Sequence, residues 1–82
     1  MKDQTFGHLA LSENGFLFDT STGFTYSLNS PGTFILRNLI SGETTEAVLE
    51  KLTAQFDVTG EIAEHDLEQF VNRLKEMGLL PR

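Results

Sequence analysis

The histidines of this chain, together with its lack of cysteine, leave little material for a metal site. His8 and His65 lie far apart in the sequence, and neither belongs to an HxxxH or HExxH spacing that would bring two imidazoles to one ion. Thiolate ligands and disulfides are excluded because the chain contains no cysteine. His65 stands between Glu64 and Asp66 on a predicted helix surface, where an exposed histidine is the simpler interpretation. We therefore predict no metal site.

Three glutamates have the spacing of carboxylates that could share general acid–base chemistry. Glu61, Glu64 and Glu68 fall at i, i+3 and i+7, so a helix would place them on one face. Acid–base catalysis needs an apolar setting that raises the pKa of one carboxyl, and the sequence offers none, so a solvated acidic stripe is the simpler interpretation. The chain also lacks a GxSxG nucleophile elbow, and its glycines are too dispersed for a phosphate loop. We predict no catalytic residues, no cofactor and no enzymatic activity.

The charge of the chain is acidic and unevenly distributed. Its 82 residues include 12 acidic and 6 basic side chains, for a net charge of −6, and the whole excess falls between positions 43 and 76, where nine acids stand against three bases. An acidic surface keeps a small domain soluble and also repels phosphate, so we predict no nucleic-acid partner. The aromatic residues at positions 16, 18, 24 and 26 resemble an RNA-stacking sheet, but no basic residue lies between them. Core packing explains them better.

The composition and the N-terminal sequence indicate one small domain in the cytoplasm. Hydrophobic residues make up 39% of the chain and charged residues 22%, which is typical of a globular protein, and we take residues 1–82 as a single domain. No apolar run approaches the roughly 20 residues of a membrane span. The first residues, MKDQTFGHLALSEN, lack the apolar stretch of a signal peptide. We therefore expect a cytoplasmic location and no membrane partner.

The elements that would position any site begin with three predicted strands, within residues 6–29. A weakly alternating stretch at 8–12 is followed by an Asn14-Gly15 turn, and the run FLF at 16–18 suits a strand buried on both faces. A second turn, STG, leads into FTYSLN at 24–29. Strands joined by short turns pair antiparallel with their neighbours, so the second strand is central and the third lies at an edge.

The third strand is an edge without the usual protection. Phe24, Tyr26 and Leu28 face one side, and the polar residues between them face the other. Edge strands usually carry a Lys, a Pro or a bulge that prevents pairing with another chain, and FTYSLN has none of these. Something is therefore expected to pair with this strand.

Three predicted helices follow the strands. Asn29 or Ser30 can cap the first, Thr44 or Thr45 the second and Thr59 the third, and glycines follow the first and the third. Their apolar residues repeat at helical spacing over about 31–41, 45–56 and 61–77. Strands gathered at one end of the sequence and helices at the other predict an α+β domain with an antiparallel meander.

From the third strand onward the chain resembles a known family. The residues that carry the resemblance are Leu28-Asn29, Gly32, Ile35, Leu39, Gly42, Thr45, Leu52, Phe56, Asp57, Asp66, Phe70, Leu74 and Gly78-Leu79-Leu80. Each is generic alone, but the ordered set is similar to PqqD, the pyrroloquinoline quinone biosynthesis protein D. The resemblance covers roughly Phe16 to Leu80.

The resemblance implies a winged-helix-like domain that acts as a peptide chaperone, a precursor-peptide recognition element. Such a domain binds the leader of a ribosomally made precursor peptide and delivers the peptide to a modifying enzyme, often a radical-SAM protein. In this family the leader adds as a strand beside the third strand and lies in a groove against the third helix. The peptide-binding residues expected by position are Phe24, Thr25, Tyr26, Ser27, Leu28, Phe70, Arg73, Leu74 and Met77.

Two questions stay open at the level of sequence. Phe70 and Leu74 suit the core as well as the floor of a groove, and Arg73 is either a partner for an acidic leader residue or a surface arginine that complements the helix dipole. The alternative function is a structural or regulatory interaction domain without leader binding, which would dimerise through the same strand, Phe24 to Leu28.

Overall fold

The computed structural model describes residues 6–80 of the chain and shows three strands followed by three helices. The first five residues lie outside this range, as do Pro81 and Arg82. The elements are β1 (Leu9–Leu11), β2 (Phe16–Asp19), β3 (Thr25–Ser27), α1 (Ser30–Ile40), α2 (Thr45–Phe56) and α3 (Gly60–Glu76). The sheet is antiparallel with the order β1-β2-β3, so the predicted α+β class is confirmed, and "winged-helix-like" describes it loosely. Each helix end lies within one residue of its predicted position. No helix among residues 6–80 is both long and apolar enough to cross a membrane.

The side chains expected to start the helices do so. Asn29 accepts a hydrogen bond from the backbone N–H of Gly32 at 2.8 Å, so Asn29, rather than Ser30, caps α1. Thr44 and Thr59 cap α2 and α3 in the same way. These bonds satisfy backbone donors that a helix leaves free at its first turn, and they fix where the chain turns from β3 into α1.

β2 is buried on one face only, which corrects the expectation of a strand buried on both. Leu17 and Asp19 are almost fully buried, whereas Phe16 is 52% exposed and Phe18 42% exposed. The run FLF does not distinguish the two arrangements, because three consecutive apolar residues fit either one. Among the described residues the helices cover a single face of the sheet, where Leu17 packs with Leu36. The side chains that alternate with Leu17 therefore face outward.

Two clusters of buried side chains form the core and hold α3 in place. One lies among the helices and consists of Ile35, Val48, Leu52, Ala63 and Leu67. The other joins the sheet to the helices and consists of Leu17, Leu36, Leu74 and Leu79. Phe70, which is partly buried, packs against both clusters. α3 is thus anchored to the helices through Leu67 and to the sheet through Leu74, and Phe70 lies between these anchors.

A buried carboxylate organises the turn that delivers β3. Asp19 accepts hydrogen bonds from the backbone N–H of Ser21 at 2.9 Å and from its hydroxyl at 2.7 Å. The Ser21 hydroxyl bond is the main reason that the pKa of Asp19 lies below its ordinary value of 3.8; burial opposes this shift, and the charge of His8 adds to it. The backbone N–H of Asp19 also donates to the carbonyl of Phe24 at 2.9 Å. These bonds align β3 with β2.

Candidate functional site

A groove of about 600 Å³ runs between β3, the start of α1 and one face of α3. Its lining residues are Thr25, Tyr26, Ser27, Leu28, Asn29, Pro31, Gly32, Ile35, Asp66, Gln69, Phe70, Arg73 and Met77. The groove therefore lies directly against β3, the edge strand for which the sequence predicts a pairing partner.

The open edge of β3 faces this groove with a small number of backbone groups. The Leu28 N–H donates to the Gly15 carbonyl, and the Phe24 carbonyl accepts from the Asp19 N–H. Phe24, Tyr26 and Leu28 therefore direct their backbone groups toward β2. Hydrogen bonding alternates along an antiparallel strand, so Thr25 and Ser27 direct their N–H and C=O groups away from β2. Among residues 6–80 no other strand pairs with β3. A new strand would therefore bond to these two residues.

One face of α3 forms the opposite wall. Asp66, Phe70, Arg73 and Met77 recur at helical spacing, so their side chains lie along the same face. Phe70 and Met77 are partly buried and give the wall an apolar strip, while Asp66 and Arg73 carry opposite charges. The two charged residues are seven positions apart, which corresponds to a rise of about 10 Å along the helix. The one ion pair among residues 6–80 joins Lys51 and Glu43 elsewhere, so neither charge in the groove is neutralised within that range.

The floor of the groove depends on a missing side chain at Gly32. A Cβ atom at this buried position would lie 2.9 Å from Asn29 Oδ1 and 3.0 Å from Phe70 Cε1. Both distances are shorter than normal van der Waals contact, so only glycine allows the first turn of α1 to approach the Phe70 ring this closely. Ile35, one turn further along α1, continues the floor and is 1% exposed.

Most of the expected peptide-binding residues come together in the groove. The seven that line it are Thr25, Tyr26, Ser27, Leu28, Phe70, Arg73 and Met77. Leu74 does not line it, because the helical turn directs its side chain to Leu17 and Leu36 and leaves it 0% exposed. Of the two positions that the sequence left open for Leu74, the structure shows the core. Phe24 precedes β3, where its N–H bonds to the Thr22 hydroxyl, and its exposed side chain lies outside the groove lining.

The sequence did not identify six lining residues. Asp66 and Gln69 follow from helical spacing with Phe70 and Arg73, so the sequence contained a signal for them. The other four are Asn29, which caps α1, and Pro31, Gly32 and Ile35 within α1. No local pattern predicts their role, because it depends on where α1 crosses α3.

The acidic stripe on α3 lies on a different face from the groove. Glu61, Glu64, His65 and Glu68 are exposed and line a shallow depression between α2 and α3. Among residues 6–80 no three His, Asp or Glu side chains come together in a way that would hold a metal ion. The acidic stripe is therefore a solvated surface. The groove, in contrast, offers backbone pairing, apolar contact and two charges.

Comparison with known proteins identifies the family. The family model described as coenzyme PQQ synthesis protein D (PqqD) matches residues 14–80. The chain belongs to the PqqD family. This match covers the region in which the sequence resembled PqqD, so that recognition is confirmed. No curated protein sequence matches the chain.

Two solved structures are similar to this PqqD-family chain over most of its length. One is a lasso peptide synthetase B1 complexed with the leader peptide, which is 31% identical, with a TM-score of 0.72 over 85% of this chain and 84% of that chain. The other is TbiB1 in complex with the TbiA(beta) leader peptide, which is 26% identical, with a TM-score of 0.78 over 89% of this chain and 86% of that chain. Both relatives were thus solved with a leader peptide bound.

Proposed function

We propose that this PqqD-family chain binds the leader of a ribosomally made precursor peptide and presents the peptide to a modifying enzyme. The leader pairs as a fourth strand with β3 and rests its side chains in the groove against α3. The observation that carries this proposal is that the open edge of β3 and the apolar strip of α3 face the same groove. The two leader-peptide complexes of similar proteins support it.

Backbone pairing supplies direction and register but little net affinity. Thr25 and Ser27 together offer about four hydrogen bonds, each contributing about 0.5–1.5 kcal/mol. Ordering five residues of a disordered leader costs about 1–2 kcal/mol per residue, so the pairing alone roughly breaks even at best. Any leader that binds tightly must therefore bury apolar side chains.

The groove provides surfaces for such apolar anchors. A fully buried aliphatic or aromatic side chain contributes about 1.5–3 kcal/mol, so the affinity increases with each leader side chain that the groove buries. Phe70, with Ile35 and Gly32 beneath it, forms one apolar position, and Met77 forms another near the end of α3. Met77 is adaptable, because its flexible thioether accommodates side chains of different shapes.

The two charges of the groove select a charge pattern in the leader. Arg73 pairs with an acidic leader residue, and Asp66 favours a basic or hydrogen-bond-donating one. Their separation of about 10 Å along α3 corresponds to about three residues of an extended strand. The preferred leader therefore carries the two groups about three positions apart.

This role places the chemistry in the partner rather than in this chain. The partner to which this chain presents the peptide is a peptide-modifying enzyme. Because the family resemblance implies a radical-SAM protein, binding to enzymes of that class is the first to test. A structural or regulatory interaction domain that dimerises through β3 is not favoured, because the similar structures hold leader peptides. Sedimentation tests this alternative: a tight dimer that buries β3 would contradict leader binding.

The decisive experiment first searches the genomic neighbourhood of this chain for a precursor gene and then titrates the synthetic leader of that precursor against the chain by NMR. The amides of Thr25 to Leu28 and of Phe70 to Met77 should shift first, because they border the groove. A scrambled leader of the same composition is the control. Shifts confined to α2 would overturn the proposed mechanism.

A further inference from the structure

The face of the sheet opposite the helices carries an uncharged, aromatic surface. We call this surface the outer patch; it consists of Ala10, Phe16, Phe18, Thr25 and Ser27. These residues are cross-strand neighbours, since Phe18 is paired with both Ala10 and Thr25, and Phe16 with Ser27. Phe16 and Phe18 are exposed without contributing to the core or to the groove. Neighbouring exposed aromatics on one sheet face are typical of a protein interaction site.

A presenting protein needs two surfaces, one for the peptide and one for the enzyme. The groove accounts for the first, and it lies on the helix side of β3. We propose that the outer patch is the surface on which the modifying enzyme docks, and that a bound leader strand completes this surface. The inference rests on the proposed function for the identity of the partner, but Phe16 and Phe18, the two aromatic residues of the patch, lie outside the groove.

The register of the sheet connects the outer patch to the leader. Thr25 and Ser27 contribute their side chains to the patch and their outward backbone groups to the open edge of β3. A leader strand paired there would lie about 4.8 Å beyond β3, and its alternate side chains would extend the outer face of the same sheet. An enzyme seated on Phe16 and Phe18 would therefore contact the leader as well, and would bind the loaded chain better than the empty one.

A second copy of this chain is a poorer occupant than a different protein. The two phenylalanines expose on the order of 200 Å², so these rings from two copies would together bury about 400 Å², far less than the roughly 1,200 Å² of a stable interface. Both copies would also carry a net charge of −6 and repel each other. A larger partner can add contacts around the rim. The partner surface that fits has an apolar centre to receive Phe16 and Phe18.

The test measures leader binding and enzyme binding separately. The double variant Phe16→Thr/Phe18→Thr keeps good strand formers while removing both rings. The matched control is Ile62→Thr, which removes another half-exposed apolar side chain, at the start of α3 and away from both surfaces. The probes are the synthetic leader and a purified modifying enzyme, both taken from the gene cluster that a search of the genomic neighbourhood identifies. Circular dichroism and urea denaturation establish that each variant folds.

The expected result is a separation of the two affinities. The double variant should bind the leader within twofold of the wild type and lose at least tenfold in affinity for the enzyme, with Ile62→Thr unchanged in both. Leader should also strengthen enzyme binding to the wild type. If the wild type binds the leader but not the enzyme, or if the folded double variant keeps full enzyme affinity, the inference is wrong.

The remaining outcomes are equally informative. If the folded double variant loses the leader, the outer patch belongs to the leader site, and the inference is overturned. A wild-type dimer that the double variant abolishes without a change in enzyme affinity would assign the patch to self-association instead. Patch-dependent enzyme binding in a chain that binds no leader would support the docking surface and refute the proposed function.

Discussion

Replacing Gly32 with alanine tests whether the floor of the groove is as tightly packed as the structure indicates. The added methyl would lie 2.9 Å from Asn29 Oδ1, 3.0 Å from Phe70 Cε1 and 3.4 Å from Phe70 Cδ1. Neither Asn29 nor Phe70 can move away from this methyl without loss of a stabilising interaction. Asn29 caps α1, and Phe70 packs against both core clusters. Gly32→Ala should therefore destabilise the fold, although alanine is the better helix former.

The magnitude follows from three opposing contributions. Forcing a methyl into a packed site costs about 1–3 kcal/mol, and displacing the Asn29 side chain from its capping bond costs about 1 kcal/mol. Alanine in place of glycine recovers up to about 1 kcal/mol of helix propensity. The net loss in the free energy of unfolding is about 2 kcal/mol, which in a domain of this size lowers Tm by roughly 8–16 °C.

Urea denaturation followed by circular dichroism measures this difference. Gly60→Ala is the matched control, because Gly60 also lies in the first turn of a helix but a Cβ there would meet no atom within 4 Å. This control should be neutral or up to about 1 kcal/mol more stable. Gly32→Ala should also cost less when Phe70→Leu is already present, since the smaller side chain leaves room for the methyl.

An unchanged unfolding midpoint for Gly32→Ala would refute this reasoning. The reasoning would also be refuted if Gly32→Ala reduced the free energy of unfolding equally in the wild type and in the Phe70→Leu background, since the clash would then not involve the Phe70 ring. A destabilisation equal to that of Gly60→Ala would point to a general effect of the substitution rather than to the close approach between α1 and α3.

Three further outcomes are expected. Arg73→Ala should weaken leader binding roughly tenfold in a fluorescence anisotropy titration, because it removes a charge-assisted bond. The control Lys75→Ala removes a cation outside the groove and should leave leader binding unchanged. Equal affinities of the two variants would exclude Arg73 as a leader contact. Leu74→Ala should reduce the free energy of unfolding by about 2–5 kcal/mol because it empties a fully buried site; a near-neutral variant would place Leu74 in the groove after all. Asp19 has a lowered pKa in the folded state, so its ionised form stabilises the protein above the unfolded pKa, and this contribution is lost as the pH falls through the folded pKa. Wild-type stability should therefore fall below about pH 4, and Asp19→Asn should have a flatter stability profile in that range; identical profiles would contradict the role of Asp19.

The secondary structure was largely predictable because its signals are local. Helical spacing and capping residues such as Thr59 placed all three helices to within one residue. The turn at Asn14-Gly15 and the alternation of FTYSLN placed the strands in order. The observed β3 is shorter than FTYSLN, because Phe24 belongs to the preceding turn and Asn29 turns away to cap α1. Interactions within a few residues determine these features, so the sequence alone contains them.

The composition of the groove was only partly predictable, since it depends on contacts between distant segments. Helical spacing relates Phe70 to Arg73 and Leu74, but it does not say which face of α3 meets the sheet. That choice follows from the packing of Leu74 with Leu17 and Leu79, which buries one side of α3 and leaves Arg73 on the other. The role of Gly32 likewise exists only because α1 crosses α3 beside Phe70.

The sequence by itself determined the order of the elements, the boundaries of the helices, the unprotected edge of β3 and the family. The tertiary structure decided which side chains are buried and which are available to a partner. Phe16 and Phe18 show the difference most clearly, because their apolar character suggested a core, while a single layer of helices leaves them in solvent. Burial depends on which faces the helices cover, and that arrangement results from contacts between segments far apart in the chain.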